Sequence, residues 1–476
     1  MNYSAPRSRR PNPVVILCVL ALVPAAAFAG VWKWAEAKKV EAAAIAPTVA
    51  ATPIPAMSTP LLSFRRAPAA LAGSVTNSAL RTSLAPLADQ IGATSCLVVS
   101  LGGVFVVNDG ADTQVTPASN LKLLTGATAL QVLGPDFRYT TELRGIAVDG
   151  VVAGDIYFVG GGDPLLSTAS YPATQKHPPT STTSLDGLVA SLAAAGVTQI
   201  RGNIVADESR YDSERFVPTW SAGLVGVEAG PLSALMVNDG VRDLANLRRY
   251  DDVAVGAATE LKTLLKAANI KVSGQAVLGV APPFTPVLAA IQSEPFTSVL
   301  AEMLTTSDNN TAELVLKELG VHVGTGGTRS AGIAIVAGVL VTWGIDTSAL
   351  VQVDGSGLDA SNVVTCRLLI GVIQHELSTP AFLEALPIAG QTGTLDDELL
   401  DSPLAGLLRA KTGSLTNVKS LTGTAPSAGG SLEFSLVIDA QFANEDQVYK
   451  PIWAALAAAL ASAGAGTPAL ELLQPR

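Results

Sequence analysis

Hydrophobic residues along the chain fall into runs whose period changes from region to region. From Val14 to Val23 they are nearly continuous; Arg7, Arg9 and Arg10 precede them, and Pro24 and the small stretch Ala25 to Ala29 follow. This is the basic, apolar and small-residue layout of a secretory signal, with Ala27-Phe28-Ala29 at the cleavage site. The apolar character also continues to Trp32, and the 19 residues from Val14 to Trp32 are long enough for an uncleaved membrane anchor. Both readings put the bulk of the chain outside the cytoplasm. Cys18 follows Leu17 instead of a small residue, which argues against a lipoprotein.

Residues 30–78 are rich in Ala, Pro and Thr without sustained periodicity and read as an extended linker. Two β-rich runs, Cys96 to Val99 and Val104 to Val107, joined through Gly102-Gly103, predict a hairpin. Residues 119–130 read as a helix with Leu121, Leu124 and Thr128 on one face. The middle of the chain, 146–289, alternates short strand-like runs with Gly, Pro and Asp, and helical patches interleave at Leu185 to Ala195 and Glu260 to Ala268. Helical spacing returns from Phe296 and breaks at Ser307 to Asn310. A strand pair, Val418 to Ala425 and Leu432 to Ala440, then precedes a helix from Ile452 to Ala463. The expected order is a first part at 79–145, a β-rich insertion at 146–289 and a second part at 290–476.

Composition narrows the chemistry. The 476 residues are 48% hydrophobic and 15% charged, with a net charge of −10. An acidic surface repels phosphate backbones, so no nucleic-acid partner is expected. Three histidines and three cysteines are too few for a zinc ribbon or a multi-histidine metal site. Outside the leader only Cys96 and Cys366 remain, either as a disulfide or as two small buried apolar residues.

Three short motifs carry the candidate chemistry: Ser119-Asn120-Leu121-Lys122, Ser307-Asp308-Asn309 and Lys411-Thr412-Gly413. The first sets a hydroxyl and an amine one helical turn apart, with Pro117 at the helix start. A serine hydroxyl becomes a nucleophile when a neighbouring base takes its proton, and a lysine can be that base once burial and a second cation such as Lys411 favour its neutral form. Ser307 and Asn309 lie in the break between two helical stretches, where a hydroxyl can relay a proton and a carboxamide can hold a substrate amide. Gly413 lets a substrate backbone pair along a strand edge, and Lys411 and Thr412 can hold a carboxylate. The backbone N–H groups of Ser119 and Ser414 are the expected oxyanion hole.

Other features read as structural. Gly355-Ser356-Gly357 lacks the spacing of a nucleophile elbow and reads as a turn; His375-Glu376 has Thr379 where a zinc-binding helix needs histidine, and His322 reads as structural. Gly324-Thr325-Gly326-Gly327 has no phosphate-loop lysine, Asp308 reads as a helix cap, and Asp163 as a turn residue.

The ordered set S-x-x-K, S-x-N, K-T-G resembles that of the penicillin-recognising serine enzymes. Further segments resemble the D-alanyl-D-alanine carboxypeptidase/endopeptidase family of class C low-molecular-mass penicillin-binding proteins, the S13 serine peptidases. They are Val159 to Pro164, Pro231 to Leu235, Asp354 to Leu358 and Gly390 to Leu395. Lys122 and Ser307 stand 185 residues apart, and this family is similar in carrying extra domains there. The resemblance implies a mixed α/β (α+β) transpeptidase/β-lactamase-like fold with a large β-rich insertion between the first two motifs. It implies Ser119 as acylated nucleophile, Lys122 as base, Ser307 and Asn309 as proton relay and substrate holder, and Lys411 with Thr412 for the terminal carboxylate. The implied substrate is a peptidoglycan stem peptide and the implied inhibitors are β-lactams; no metal or organic cofactor is implied. Carboxypeptidase action leads, with cross-link endopeptidase, β-lactamase and a silent cell-wall binding protein as alternatives. Two departures stand out: Ser414 replaces the usual Thr, and Asp359-Ala360 follow Leu358 where Ser and Arg are frequent.

Overall fold

The computed structural model describes residues 28–34, 36, 67–179, 181–243, 245–246, 248–427 and 430–464. The expected signal or anchor, residues 1–29, lies outside them except for helical residues 28 and 29. Among the described residues no helix is long and apolar enough to cross a membrane. The chain divides into a unit at Met1–Ala67 and a unit at Pro68–Arg476.

Apart from Ala67, the second unit holds the following principal elements. Helix α1 (Ala67–Ile91) leads into strands β1 (Cys96–Leu101) and β2 (Val104–Asp109), and a short 3₁₀ turn then runs into α2 (Lys122–Leu133). Next come β3 (Thr140–Arg144), β4 (Ile156–Val159), α3 (Leu185–Ala194), β5 (Ile204–Asp207), α4 (Val253–Ala267), β6 (Ala276–Leu278) and β7 (Val287–Gln292). Helices α5 (Phe296–Thr305), α6 (Asn309–Val323), α7 (Arg329–Thr342) and α8 (Cys366–Glu376) precede β8 (Arg409–Leu415), β9 (Val418–Ala425), β10 (Leu432–Asp439) and α9 (Asp446–Gly464).

The first sheet runs β8-β9-β10-β1-β2 and is antiparallel throughout. Successive residues of a strand face opposite sides, and β1 uses both. Cys96 and Val98 join a core built with α2, α5, α6 and α8, while Leu97, Val99 and Leu101 join a second core under α1 and α9. Two-sided burial explains why this strand reads as an unbroken apolar run.

A second sheet, β6-β5-β4-β3-β7, is built from the middle of the chain. Its pairs β6–β5 and β5–β4 are parallel, whereas β3 pairs antiparallel with both β4 and β7. Parallel neighbours need crossovers, and α3 and α4 fill the core on this sheet. This sheet runs past both ends of the β-rich stretch expected at 146–289: β3 begins at Thr140 and β7 ends at Gln292, and these first and last strands pair with each other.

Three boundaries differ from the sequence expectation. The linker assigned to 30–78 ends earlier, because α1 begins at Ala67. Its burial ladder of Leu80, Leu84, Leu87 and Ile91 lies further along, and the alanine-rich stretch before it extends the helix at little cost. Helix α4 starts at Val253, ahead of the expected Glu260, since Asp252 caps it by accepting from the Val255 N–H. Ser119 sits in a 3₁₀ turn (Ala118–Leu121), and the α-helix proper begins at Lys122.

Of the two states left open for the cysteines, the structure has the disulfide: Cys96 on β1 is bonded to Cys366 at the start of α8, across 270 residues. Both are fully buried in the core between sheet and helices. A bond closing so long a loop constrains the unfolded chain, so replacing both cysteines by alanine is expected to lower stability by about 2–5 kcal/mol. Denaturant unfolding of the oxidised protein and the double variant measures this; coincident midpoints would show that the bond contributes nothing.

Candidate active site

The first motif is held by contacts that leave its backbone little freedom. Ala118 adopts φ 47°, a left-handed conformation uncommon for a residue with a side chain. It is over-determined by its neighbours. Ser420 on β9 donates its hydroxyl to the Pro117 carbonyl at 2.9 Å, and the Asn120 carboxamide donates to Thr422 Oγ1 at 3.0 Å. A Cβ on Gly413 would stand 2.8 Å from the Pro117 carbonyl oxygen, and one on Gly357 only 1.9 Å from that of Ala118. Both glycines thus admit the turn carrying Ser119. A 3₁₀ turn eclipses residues i and i+3, which stacks Lys122 beneath Ser119.

Lys122 is fully buried, and its Nζ meets three uncharged oxygens: Ser119 Oγ at 2.9 Å, Asn309 Oδ1 at 2.6 Å and the Ser356 carbonyl at 2.8 Å. Burial lowers its pKa to about 8, against the opposing pull of Asp354, Glu313, Asp308 and Glu228. A neutral amine has two N–H donors and one lone pair. The Asn309 and Ser356 oxygens accept only, so they take both donors and the lone pair is left for the Ser119 hydroxyl proton.

The Ser356 carbonyl is fixed by two buried carboxylates. Glu313 on α6 accepts the N–H groups of Gly355 and Ser356 at 3.0 and 2.8 Å, and burial followed by Asp354 pushes its pKa up to about 7. Asp354 accepts from Gly357 N, Asp359 N, Trp220 Nε1 and Asn362 Nδ2 at 2.7–2.9 Å. Sequence reasoning took Gly355-Ser356-Gly357 for a turn and did not single out Glu313. The signal available for Glu313 was its spacing of four from Asn309, which sets both on one face of α6.

Ser307 has φ 64° and occupies the break before α6, whose first residue is Asn309. Asp308 caps that helix, accepting from the Thr311 N–H at 3.1 Å and its hydroxyl at 2.8 Å. Burial and then Asp239 raise its pKa to about 6. Asn309 Nδ2 donates to the Glu228 carbonyl at 3.0 Å, so a loop of the inserted region also touches the site.

In the third motif, Lys411 is fully buried and donates to the Thr412 carbonyl at 2.9 Å. Burial and then Lys122 hold its pKa well below the ordinary lysine value. Thr412 donates its hydroxyl to Thr394 at 2.7 Å, and the exposed Ser414 accepts from Lys419 at 3.0 Å. A cleft of about 480 Å³ is lined by Ser119, Ser307, Asn309, Thr412, Gly413 and Ser414. All eight residues singled out from the sequence thus gather here: six on the wall, with Lys122 and Lys411 buried behind it. Of the residues read as structural, His375 contacts its neighbour Glu376 at 3.0 Å and stacks on Trp343, and Gly324 ends α6 in a left-handed cap.

Comparison with known proteins gives a consistent picture. Residues 90–248 and 241–463 match the model of the D-Ala-D-Ala carboxypeptidase 3 (S13) family. The chain is similar to a D-alanyl-D-alanine carboxypeptidase of Actinomadura sp. (strain R39), 28% identical over 73% of this chain and 78% of the relative. It is also similar to Carboxypeptidase Rv3627c of Mycobacterium tuberculosis, 33% identical over 67% of this chain and 70% of that one. Among solved structures, penicillin binding protein 4 (dacB) of Haemophilus influenzae shares the fold, with TM-score 0.65, 20% identity and coverage of 79% of this chain and 98% of that one. A cleft-lining serine bonded to a buried lysine, at the head of a mixed α/β domain matched over nearly its whole length, places the chain in the D-Ala-D-Ala carboxypeptidase 3 (S13) family of serine carboxypeptidases.

Proposed function

We propose that the chain hydrolyses the terminal D-Ala–D-Ala amide of peptidoglycan stem peptides, outside the cytoplasm, through an acyl-enzyme on Ser119. In this reading residues 1–29 direct export. The observation that carries the proposal is the Lys122 amine, seated between the Ser119 hydroxyl and two oxygens that only accept.

Acylation follows from that geometry. Lys122 takes the Ser119 proton as Oγ attacks the carbonyl carbon between the two terminal residues, and the N–H groups of Ser119 and Ser414 receive the developing oxyanion. The proton passes through Ser307 to the amide nitrogen, the C–N bond breaks, and free D-alanine leaves. A water then attacks the ester, giving its proton to Lys122; the ester C–O bond breaks and Ser119 regains its hydrogen. Asn309 holds a substrate amide, and Thr412 belongs to the carboxylate end of the cleft. A β-lactam presents a strained amide to the same hydroxyl and acylates it.

Incubation with penicillin, followed by intact mass and peptide mapping, is expected to give one adduct on the peptide holding Ser119. Ser119→Ala is expected to remove the adduct and the release of D-alanine from an acyl-D-Ala-D-Ala peptide. An adduct that survives in Ser119→Ala, or a wild type that releases no D-alanine, rejects the proposal.

The pH dependence follows from the lowered pKa of Lys122, about 8. The base works as the neutral amine, so acylation gains with rising pH: the neutral fraction grows about tenfold between pH 7 and 9. The second-order rate of penicillin acylation is expected to rise accordingly and level off above pH 9. A flat profile across that window would remove Lys122 as the base.

A further inference from the structure

Strand β8 is the edge of its sheet beside the cleft, and alternate residues of a strand share a face, so Thr412 and Ser414 lie on one side of it. Directly across from Ser414, in register on β9, stands Lys419. Its ammonium donates to Ser414 Oγ at 3.0 Å and sits 3.9 Å from the ring centroid of Tyr449 and 5.2 Å from that of Trp453, both on α9. The rings hold a cation in place without neutralising it. Lys419, Ser414, Thr412 and Ser119 all line the same cleft. Lys411, by contrast, has no exposed surface and spends a donor on the Thr412 carbonyl.

We propose that Lys419 is the cation that receives the carboxylate at the substrate's C-terminus and so sets the preference for substrates that end in a free acid. The carboxylate lies between the hydroxyls of Thr412 and Ser414 and the ammonium of Lys419, at the end of the cleft where the departing residue sits. Charge-assisted bonds of this kind discriminate strongly against a neutral amide end. Three acids stand near the ammonium, Glu398, Asp446 and Asp397, but Asp446 pairs with Lys450 at 2.8 Å and Glu398 accepts from the Tyr449 hydroxyl at 2.5 Å, which leaves Lys419 to the substrate's carboxylate. Asn444 Oδ1, at 3.4 Å, is a long second acceptor for Lys419.

This assignment rests on the carboxypeptidase reading, and its test separates the two. The ratio of kcat/KM for an acyl-D-Ala-D-Ala peptide over its C-terminal amide is measured for the wild type, Lys419→Met, Lys419→Gln and Lys419→Arg. Met keeps an aliphatic stem against the rings, and Gln is a second neutral variant should Met fold poorly. The ratio is expected to favour the acid in the wild type, to fall about tenfold or more in the neutral variants and to be largely kept in Lys419→Arg. A ratio within twofold of wild type in a folded neutral variant, or no preference in the wild type, overturns the role of Lys419. If the wild type also releases no D-alanine and forms no penicillin adduct, the carboxypeptidase reading itself fails.

Discussion

A lysine amine with no exposure to water, bonded to three uncharged oxygens, is the constraint around which the rest of the molecule is arranged. Burying a charged ammonium without an ion pair is costly, and the protein relieves the cost by lowering the pKa of Lys122. The same burial that would destabilise a structural lysine leaves this amine able to take up and release a proton near neutrality. Two of the three oxygens, those of Asn309 and Ser356, come from stretches far along the chain, so the amine is tuned only when the helical core has closed.

Closure depends on backbone approach as much as on polar contacts. The turn that presents Ser119 fits because Gly413 and Gly357 leave room on two sides of Pro117 and Ala118. Gly413 is expected from the sequence to serve a substrate strand; in the structure its missing side chain makes room for the turn that carries Ser119. Edge strand and helix start are thereby locked together, and the hydroxyls of Ser420 and Thr422 fasten that lock from the next strand.

Residues from the stretch between the first two motifs reach into this arrangement. Trp220 donates to Asp354, Thr219 to Asp359, and the Glu228 carbonyl accepts from Asn309. The loop after Leu358 is thereby tied through Asp359 to the middle of the chain. Asp354 fixes the Ser356 carbonyl that accepts from Lys122, so the packing of Trp220 bears directly on the surroundings of that amine.

Side-chain chemistry at short spacing was readable in the chain. Three motifs and their order were enough to indicate the family and to single out Ser119 and Lys122, because serine, lysine and asparagine announce themselves by type. Alternating and helical periods also located the hairpin at Gly102-Gly103 and the closing strand pair. Tertiary structure alone decided the rest. A backbone carbonyl such as that of Ser356 has no signature in sequence, since its direction is set by φ and ψ and by the carboxylates that grip its neighbours. The pairing of Cys96 with Cys366, the limits of the inserted sheet and the seat of Lys419 opposite Ser414 all join residues whose separation carries no period. Local propensity cannot encode a contact between distant segments; only the closed core, by bringing their surfaces together, selects it.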